Sequence, residues 1–272
     1  MNLKREGQWP VREKSDIWIW DLARGTMTRL TFGEASENPL WSSDGKRVAF
    51  TSGSGTKSAA YLKAADGTGE DEKIGSLPNA MILPWAWSSD GKTLVTIDYL
   101  GGLAFDIGSL SMEGDRKWKP LLREKYIELQ PKISPDGRWM AYMSDESGQD
   151  EIYVRPYPEI SKGRWQVSTS GGNSPLWSPD GRKLFYRNGR AVMAVAVETA
   201  PAFTPGKPEV LFQGRYVVLS LTDGHTWDIS PDGKRFLMLK APGSPESTTE
   251  GPHKINIVLN WFEELKQRVP VK

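Results

Sequence analysis

The side chains that could carry acid–base or nucleophilic chemistry are few in this sequence. The chain has two histidines, His225 and His253, and neither has a partner at the spacing of a His-Glu-x-x-His motif or another metal-binding pattern. It contains no cysteine, which excludes thiol nucleophiles, thiolate metal sites and disulfides. The Gly-x-Ser-x-Gly motif of serine hydrolases is absent as well. The sequence therefore predicts no catalytic motif, no metal site and no cofactor.

Two local clusters suggest ligand chemistry and have simpler interpretations. Residues 91–93, Gly-Lys-Thr, end like a phosphate-binding loop, but Ala86 stands where the first glycine belongs, and a hairpin turn is predicted there instead of a helix. Four acids that could offer oxygen ligands to calcium fall within seven residues: Asp145, Glu146, Asp150 and Glu151. They lack the spacing of a regular calcium loop, and a solvated loop between strands is the favoured interpretation.

One five-residue phrase, an apolar residue followed by Ser, then Ser or Pro, then Asp-Gly, occurs five times. The phrase occupies residues 41–45, 87–91, 133–137, 177–181 and 229–233. Its aspartates are separated by 46, 46, 44 and 52 residues: Asp44, Asp90, Asp136, Asp180 and Asp232. A four-stranded propeller blade takes about 40 to 45 residues. The spacing therefore predicts an all-β propeller with one phrase in each four-stranded antiparallel blade.

Each phrase has the composition of a hairpin turn. Proline presets the backbone at a turn corner, and an aspartate side chain can accept a hydrogen bond from a backbone amide two residues further on. Glycine takes the positive φ that reverses the chain. We therefore expect a structural role for the five aspartates and for the glycines that follow them: Gly45, Gly91, Gly137, Gly181 and Gly233.

The segments around the phrases complete the blades. Short apolar stretches before and after each phrase have the pattern of the inner two strands, and a second hairpin further along supplies the outer two. An outer hairpin at 16–32 comes before any phrase, so the chain begins half-way through a blade. We expect one domain over residues 1–272, which closes as a five-bladed ring if 16–32 and 226–261 form one blade.

The C-terminal segment allows another closure. Residues 255–259 have the pattern of a strand, and 260–268 place Trp261, Phe262 and Leu265 at helical spacing behind an asparagine cap, which predicts a short C-terminal helix. If 255–259 is the third strand of the last blade, the ring is an incomplete six-bladed one. Either ring should pack Trp41, Trp87 and Trp177 between blades, since they share one repeat position.

The run of Ser-Pro-Asp-Gly-Lys/Arg hairpins resembles the TolB-like, WD-like propeller repeats of bacterial proteins. More narrowly, residues 16–25, 144–154 and 258–265 resemble the propeller found C-terminal to serine/threonine kinase domains in some soil bacteria. That resemblance implies a six-bladed, extracytoplasmic sensor domain tethered through a membrane helix to a kinase. This sequence departs from the pattern in lacking the kinase, the membrane helix and the first inner hairpin, so we expect a fragment, the product of a truncated gene or a free-standing relative.

Propellers bind ligands at the ends of the central channel, where the innermost strands start. The side chains predicted at this rim are Glu37, Asn38, Trp85, Gln130, Lys132, Asn173, His225, Trp227 and Asp228. Polar groups together with two aromatic rings could recognise a small polar ligand or the end of a peptide. The alternative is that they solvate the mouth of the channel.

The bulk composition limits the function classes. Thirty-five basic and 34 acidic residues leave a net charge of +1, which favours neither nucleic acid nor an anionic membrane as a partner. No stretch has the roughly 18 to 20 apolar residues of a membrane span, and no signal peptide is evident, so the sequence predicts no membrane insertion by this chain and leaves the compartment open.

Three functions remain open from the sequence. The favoured one is a non-catalytic binding, sensing or scaffold module with a protein or peptide partner, or a small polar ligand, at the channel rim. The second is a propeller hydrolase or lyase whose acid and base are rim groups such as Glu37, His225 and Asp228. The third is a detached sensor domain of a membrane-bound kinase.

Overall fold

The computed structural model describes residues 15–33, 35–99, 105–217 and 224–240, and they form antiparallel sheets with almost no helix. A first hairpin pairs β1 (Trp18–Asp21) with β2 (Thr26–Arg29), and a last hairpin pairs β20 (Trp227–Ile229) with β21 (Phe236–Met238). Four complete blades lie between them along the chain. The predicted all-β propeller with four-stranded antiparallel blades is confirmed.

Each complete blade runs from an innermost strand outward. The first contains β3 (Ser36–Trp41), β4 (Arg47–Ser52), β5 (Ala59–Ala64) and β6 (Glu72–Gly75). The second contains β7 (Met81–Trp87), β8 (Thr93–Tyr99), β9 (Phe105–Ser111) and β10 (Trp118–Leu122). The third contains β11 (Glu128–Ile133), β12 (Trp139–Ser144), β13 (Glu151–Pro156) and β14 (Trp165–Gln166).

The fourth blade divides its outer edge between two strands. It contains β15 (Asn173–Trp177), β16 (Lys183–Asn188) and β17 (Ala191–Glu198), and β17 pairs with both β18 (Thr204–Pro205) and β19 (Glu209–Gln213). Two short 3-10 helices, Gly55–Lys57 and Ile160–Lys162, lie in loops of the first and third blades. No helix among the residues described has the length and hydrophobicity needed to cross a membrane.

A serine hydroxyl organises every phrase turn. In the first, Ser42 Oγ donates to Asp44 Oδ1 at 2.6 Å and accepts from the Arg47 amide at 2.9 Å, while Asp44 Oδ1 accepts from the Lys46 amide at 3.0 Å. The hydrogen bond from Ser42 holds the pKa of Asp44 below its usual range. The other four phrases repeat the bonds, and the five glycines have φ between 68° and 73°.

The turns of neighbouring blades also touch. A Cβ atom on Gly137 would lie 2.3 Å from Ser89 Oγ in the preceding turn, and one on Gly233 would lie 3.5 Å from Pro179 Cδ. The residue after the serine in one phrase thus packs against the glycine of the next. Glycine is needed at these positions for its positive φ and, at Gly137, for the close approach of the neighbouring blade as well.

A bulge interrupts the innermost strand of each complete blade. The register with the second strand shifts between Glu37 and Leu40, between Pro84 and Ala86, between Leu129 and Lys132, and between Asn173 and Leu176. Three of the bulges place a residue with positive φ directly before a proline: Asn38 (54°), Gln130 (58°) and Ser174 (53°). Proline suits this position because it has no amide hydrogen to leave unpaired. A bulge changes the direction of the side chains that follow it in the strand, and in these blades those side chains lie around the channel.

Apolar side chains fill the spaces between successive sheets. The largest cluster joins the second, third and fourth blades through residues such as Trp85, Ile97, Trp139 and Trp177. Smaller clusters join the first blade to the second, and the fourth blade to the last hairpin. The first hairpin packs through Ile17 and Leu30 on the first blade. Each blade is therefore held by burial against its neighbours along the chain.

The phrase tryptophans do not all pack as predicted. Trp177 is 5% exposed, and its Nε1 donates to the backbone oxygen of Lys132 in the preceding blade at 3.0 Å. Trp41, at the same repeat position, is 50% exposed. The prediction that Trp41 packs between blades is wrong, because no inner hairpin precedes β3 in the described part of the chain.

The described residues bring the last inner hairpin close to the first inner strand. A Cβ atom on Gly224 would lie 3.6 Å from Asn38 Nδ2. The first and last hairpins nevertheless form two separate two-stranded sheets, without the shared ladder expected if 16–32 and 226–261 made one blade. The predicted strand at 255–259 and helix at 260–268 lie outside the described residues, so the choice between five and six blades stays a prediction.

The serine of the phrase should matter more to stability than its neighbour. Replacing Ser42, which is buried and makes two hydrogen bonds, by alanine should lower the free energy of unfolding by about 1 kcal/mol. Ser43→Ala removes the same atom from an exposed position and should change the free energy of unfolding by less than half as much. Urea denaturation of both variants measures the difference, and equal losses would contradict the role given to Ser42.

Candidate ligand-binding site

A small cavity lies where the innermost strands of the second, third and fourth blades meet the last hairpin. Its lining residues are Trp85, Gln130, Lys132, Ser174, Pro175, Leu176, Gly224, His225, Thr226 and Trp227. The free space is about 10 Å³, which is room for roughly one water molecule. The cavity lies at the level of the bulges, further along the strands than their first residues.

Hydrogen bonds across blade boundaries fix the walls of the cavity. The amide of Ser174 donates to Gln130 Oε1 at 2.6 Å, which joins the third and fourth blades. The Trp227 Nε1 donates to the Ser174 backbone oxygen at 3.1 Å, which joins the fourth blade to the last hairpin. Since Gln130 and Ser174 both take positive φ in bulges, the bulges are what bring these groups into reach.

His225 reaches across the channel to the second and third blades. Its Nε2 lies 3.0 Å from the backbone oxygen of Trp85 and 3.4 Å from Lys132 Nζ. A carbonyl oxygen can only accept, so Nε2 carries a hydrogen when it bonds to Trp85 and then has no lone pair for Lys132. Burial and the charge of Lys132 lower the pKa of His225 well below 6.5, so this imidazole is neutral at pH 7.

In the described part of the chain, Lys132 has no negatively charged acceptor in contact with its ammonium group. Among the described residues, no carboxylate lies within 4.0 Å of its Nζ. Burial lowers the pKa of Lys132, and the negative charge of Asp228 offsets part of that effect. Asp228 itself is exposed, and its Oδ1 accepts from the Ile229 amide at 2.8 Å. Lys132 therefore feels the negative charge of Asp228, but no carboxylate within the described ranges is in contact with its ammonium group.

The structure brings together five of the nine predicted site residues, Trp85, Gln130, Lys132, His225 and Trp227, which all line the cavity. The two tryptophans are also buried members of the core. The other four lie elsewhere: Glu37 accepts from Ser15 Oγ at 3.3 Å, Asn38 faces Gly224, Asn173 Oδ1 accepts from Ser174 Oγ at 3.1 Å, and Asp228 is exposed.

The acidic loop of the third blade is only partly the solvated loop expected from the sequence, because residues 147–149 are exposed but the four acids are not. Glu151 is fully buried and accepts from the Gly171 amide at 2.9 Å and from Ser168. Asp145 Oδ1 accepts from the Ile127 amide at 2.9 Å, and Glu146 pairs with Arg164. Within the described ranges, no group of three or more His, Asp or Glu side chains is placed to hold a metal ion. These acids hold the loop to neighbouring backbone.

Two buried carboxyl groups were not predicted from the sequence. Burial raises the pKa of Asp98 in β8 to about 7 and that of Glu128 in β11 to about 8. Asp98 accepts from Thr96 Oγ1 and from Trp118 Nε1, both at 2.9 Å. A Cβ atom on Gly108 would lie 2.1 Å from Asp98 Oδ2, so glycine is required there. An acidic residue within an apolar strand segment is the sequence pattern that could have predicted them.

Replacing Lys132 by methionine should stabilise the ligand-free protein. Methionine has a side chain of similar length and removes a partly buried charge that has no carboxylate partner among the described residues. The free energy of unfolding at pH 7 should rise by about 1 kcal/mol. Thermal and urea denaturation measure the change, with Lys46→Met at an exposed turn as the control. A loss of stability would show that Lys132 serves the fold.

Asp98 should make the folded state less stable as the pH rises. Its folded pKa of about 7 exceeds the unfolded value near 3.8, so the folded state binds more protons between these values and stability falls as pH increases through them. An asparagine in its place would imitate the protonated acid, with its oxygen accepting from Trp118 and its amide donating to Thr96. Asp98→Asn should raise stability at pH 8 by about 2 kcal/mol and change it little at pH 4. Equal effects at both pH values would contradict this assignment.

Comparisons with known proteins agree with the architecture. The chain is 28% identical over 182 residues to the uncharacterized peptidase YuxL of Bacillus subtilis, which covers 52% of this chain and 27% of that protein. It is 28% identical over 133 residues to the TolB homolog of Chlorobium luteolum, which covers 48% of this chain and 29% of the relative. The chain thus spans less than a third of either protein.

A solved structure and a family model extend the match. The crystal structure of TolB from Acinetobacter baumannii superimposes with a TM-score of 0.66 and 21% identity, over 86% of this chain and 56% of that one. At this identity the likeness shows the fold. The family model described as the TolB beta propeller domain matches residues 34–204, which is more than half of the chain. The chain therefore belongs to the TolB beta-propeller family.

Proposed function

We propose that this propeller is a non-catalytic binding module that receives a protein, a peptide or a small polar ligand at the channel cavity. The observation that carries the proposal is the cavity itself, where three blades and the last hairpin present Lys132, His225 and Thr226 around one small space. Hydrogen bonds from Ser174 and Trp227 hold its walls across the blade boundaries. A rigid, polar pocket of this kind suits recognition, because its groups need little reordering on binding.

The arrangement of acids and bases favours binding over hydrolysis or elimination. A general acid and a general base must both reach the reacting atoms of one substrate. The three groups of that alternative have separate surroundings: Glu37 contacts Ser15, His225 contacts Trp85 and Lys132, and Asp228 is exposed. The relative from Bacillus subtilis is named a peptidase, but the match covers 27% of it, and one fold serves many functions.

The nature of the partner follows from the surface around the pocket. A net charge of +1 gives no large field for attracting a polyanion, and the cavity adjoins apolar walls from Pro175 and Leu176. A polypeptide segment or a small molecule with one polar end fits these surroundings. The kinase-linked sensor remains a prediction within this proposal, since such a sensor would also bind its ligand through the propeller.

A substitution that fills the cavity tests the proposal. The wild-type protein is screened by thermal shift against peptides, sugars and nucleotides, because a ligand that binds the folded state raises the melting temperature. Thr226→Phe places a ring in the cavity and should weaken binding of a stabilising ligand at least about tenfold. Thr26→Phe makes the same change at an exposed site in β2 and should leave binding unaltered.

The same ligand should also remain chemically unchanged. Incubation of ligand with wild-type protein followed by chromatography should recover it intact after many hours. Accumulation of a cleaved product that is lost in His225→Ala would overturn the non-catalytic function in favour of the hydrolase or lyase. Equal affinity of a ligand for the wild type and Thr226→Phe would show that binding occurs elsewhere.

A further inference from the structure

The ammonium group of Lys132 has no acidic partner in the part of the chain that the structure describes. We infer that the group recognised in the cavity is a carboxylate, one oxygen of which pairs with Lys132 Nζ. This inference rests on the proposed binding function and specifies its ligand class. Charge pairing is the physical reason, because a partly buried cation is stabilised by an opposite charge that reaches it without much water between them.

Several other polar groups of the cavity are already engaged. The Trp227 Nε1 donates to the Ser174 carbonyl, and Gln130 Oε1 accepts from the Ser174 amide. His225 Nε2 donates to the Trp85 carbonyl at 3.0 Å, which leaves its contact with Lys132 Nζ without a lone pair at that nitrogen. Lys132 has hydrogens still to donate, and so has Trp85 Nε1, which is buried without a partner among the described residues. Lys132 is the charged donor of the two, so an incoming anion has one preferred place to bind.

The chain supplies an internal comparison for a buried cation with a structural role. Arg155 in β13 is 8% exposed, and it donates to Glu124 Oε1 at 2.6 Å and to Tyr142 Oη at 2.9 Å. At this position the fold surrounds a buried guanidinium with both an anion and a hydroxyl, whereas Arg187, which is 2% exposed, has a carbonyl and an aromatic ring. Among the described residues, Lys132 has neither a carboxylate nor a hydroxyl within hydrogen-bonding distance, although Asp228 lies near enough to influence its pKa. This contrast points to a partner that comes from outside the chain.

The size and walls of the cavity select among anions. Space for roughly one water molecule admits a single oxygen atom, which a flat carboxylate can present at its edge. A phosphate group could also insert one oxygen, but its remaining charged oxygens would then lie against the apolar walls of Pro175 and Leu176, which disfavours it. Pro175, Leu176 and the ring of Trp85 offer apolar contact to a carbon stem behind the carboxylate. The chain end of a peptide and the side chain of an acidic residue share this chemistry.

The test compares matched probes with and without the charge. N-acetylglycine carries a carboxylate on a peptide-like stem, and N-acetylglycinamide has the same shape without the charge. Titrations followed by the Cε–H NMR signals of the lysines should show saturable binding of N-acetylglycine at Lys132. The amide and inorganic phosphate should each bind at least about tenfold more weakly.

Two variants complete the experiment. Lys132→Met should weaken N-acetylglycine binding at least about tenfold, whereas Lys46→Met, at an exposed turn, should bind as the wild type does. Cooperative melting of Lys132→Met, with a melting temperature at or above that of the wild type, shows that the loss comes from the site. Lys132→Gln serves as a second neutral variant if the methionine variant does not fold.

Several outcomes would overturn the carboxylate assignment. These are equal affinity for the amide, tighter binding of phosphate, unchanged affinity in both Lys132 variants, or no saturable shift with N-acetylglycine at roughly 100 mM. If an uncharged ligand from the broader screen binds the wild type and is lost in Thr226→Phe, the binding function stands and the carboxylate inference alone fails. If Thr226→Phe has no effect on any ligand, the proposed function fails too.

Discussion

The hydrogen bonds of one serine hydroxyl in each phrase turn support the rest of the structure. Ser42 and its four counterparts join the aspartate of the turn to the backbone where the second strand begins, so every inner hairpin leaves the turn with the same geometry. Equal turns allow neighbouring blades to touch at equivalent atoms, as Gly137 does with Ser89. Because each blade buries its apolar faces only against its neighbours, this repeated contact decides how well the cores between blades are packed.

The bulges apply a second constraint, which shapes the channel. A regular innermost strand would alternate its side chains between the two blade faces along its whole length. The extra residues at Asn38, Gln130 and Ser174 break this alternation, and the proline after each one removes an amide that the ladder could not satisfy. The positive φ values are costly for residues other than glycine, and their recurrence at one repeat position shows that the architecture requires them. The cavity is a consequence of this strand geometry.

The sequence predicts the fold well because the phrase combines turn chemistry with a spacing that only a repeat explains. It predicts the site less well. Counting back from each phrase finds residues near the channel, but the bulge in each innermost strand inserts one extra residue and so changes which side chains meet. The exposure of Trp41 depends on which hairpin packs beside its blade in the ring, and that hairpin is distant in the sequence. Asp98 is buried because both faces of its sheet are covered, which no single strand pattern reveals.

Two cations on the inner strands, Arg187 and Lys132, have different surroundings. Arg187 in β16 has its guanidinium 5.7 Å from the ring of Tyr216 and donates to the Gly189 carbonyl at 3.3 Å. Lys132 Nζ lies 3.4 Å from the neutral imidazole of His225, and no carboxylate of the described residues lies within 4.0 Å of it. A charge that contributes so little to folding lowers the stability of the ligand-free state, and proteins tolerate such costs where a site must be ready for its ligand. Binding an anion would then stabilise the inner strands of three blades together, which couples occupancy of the channel to the rigidity of the ring.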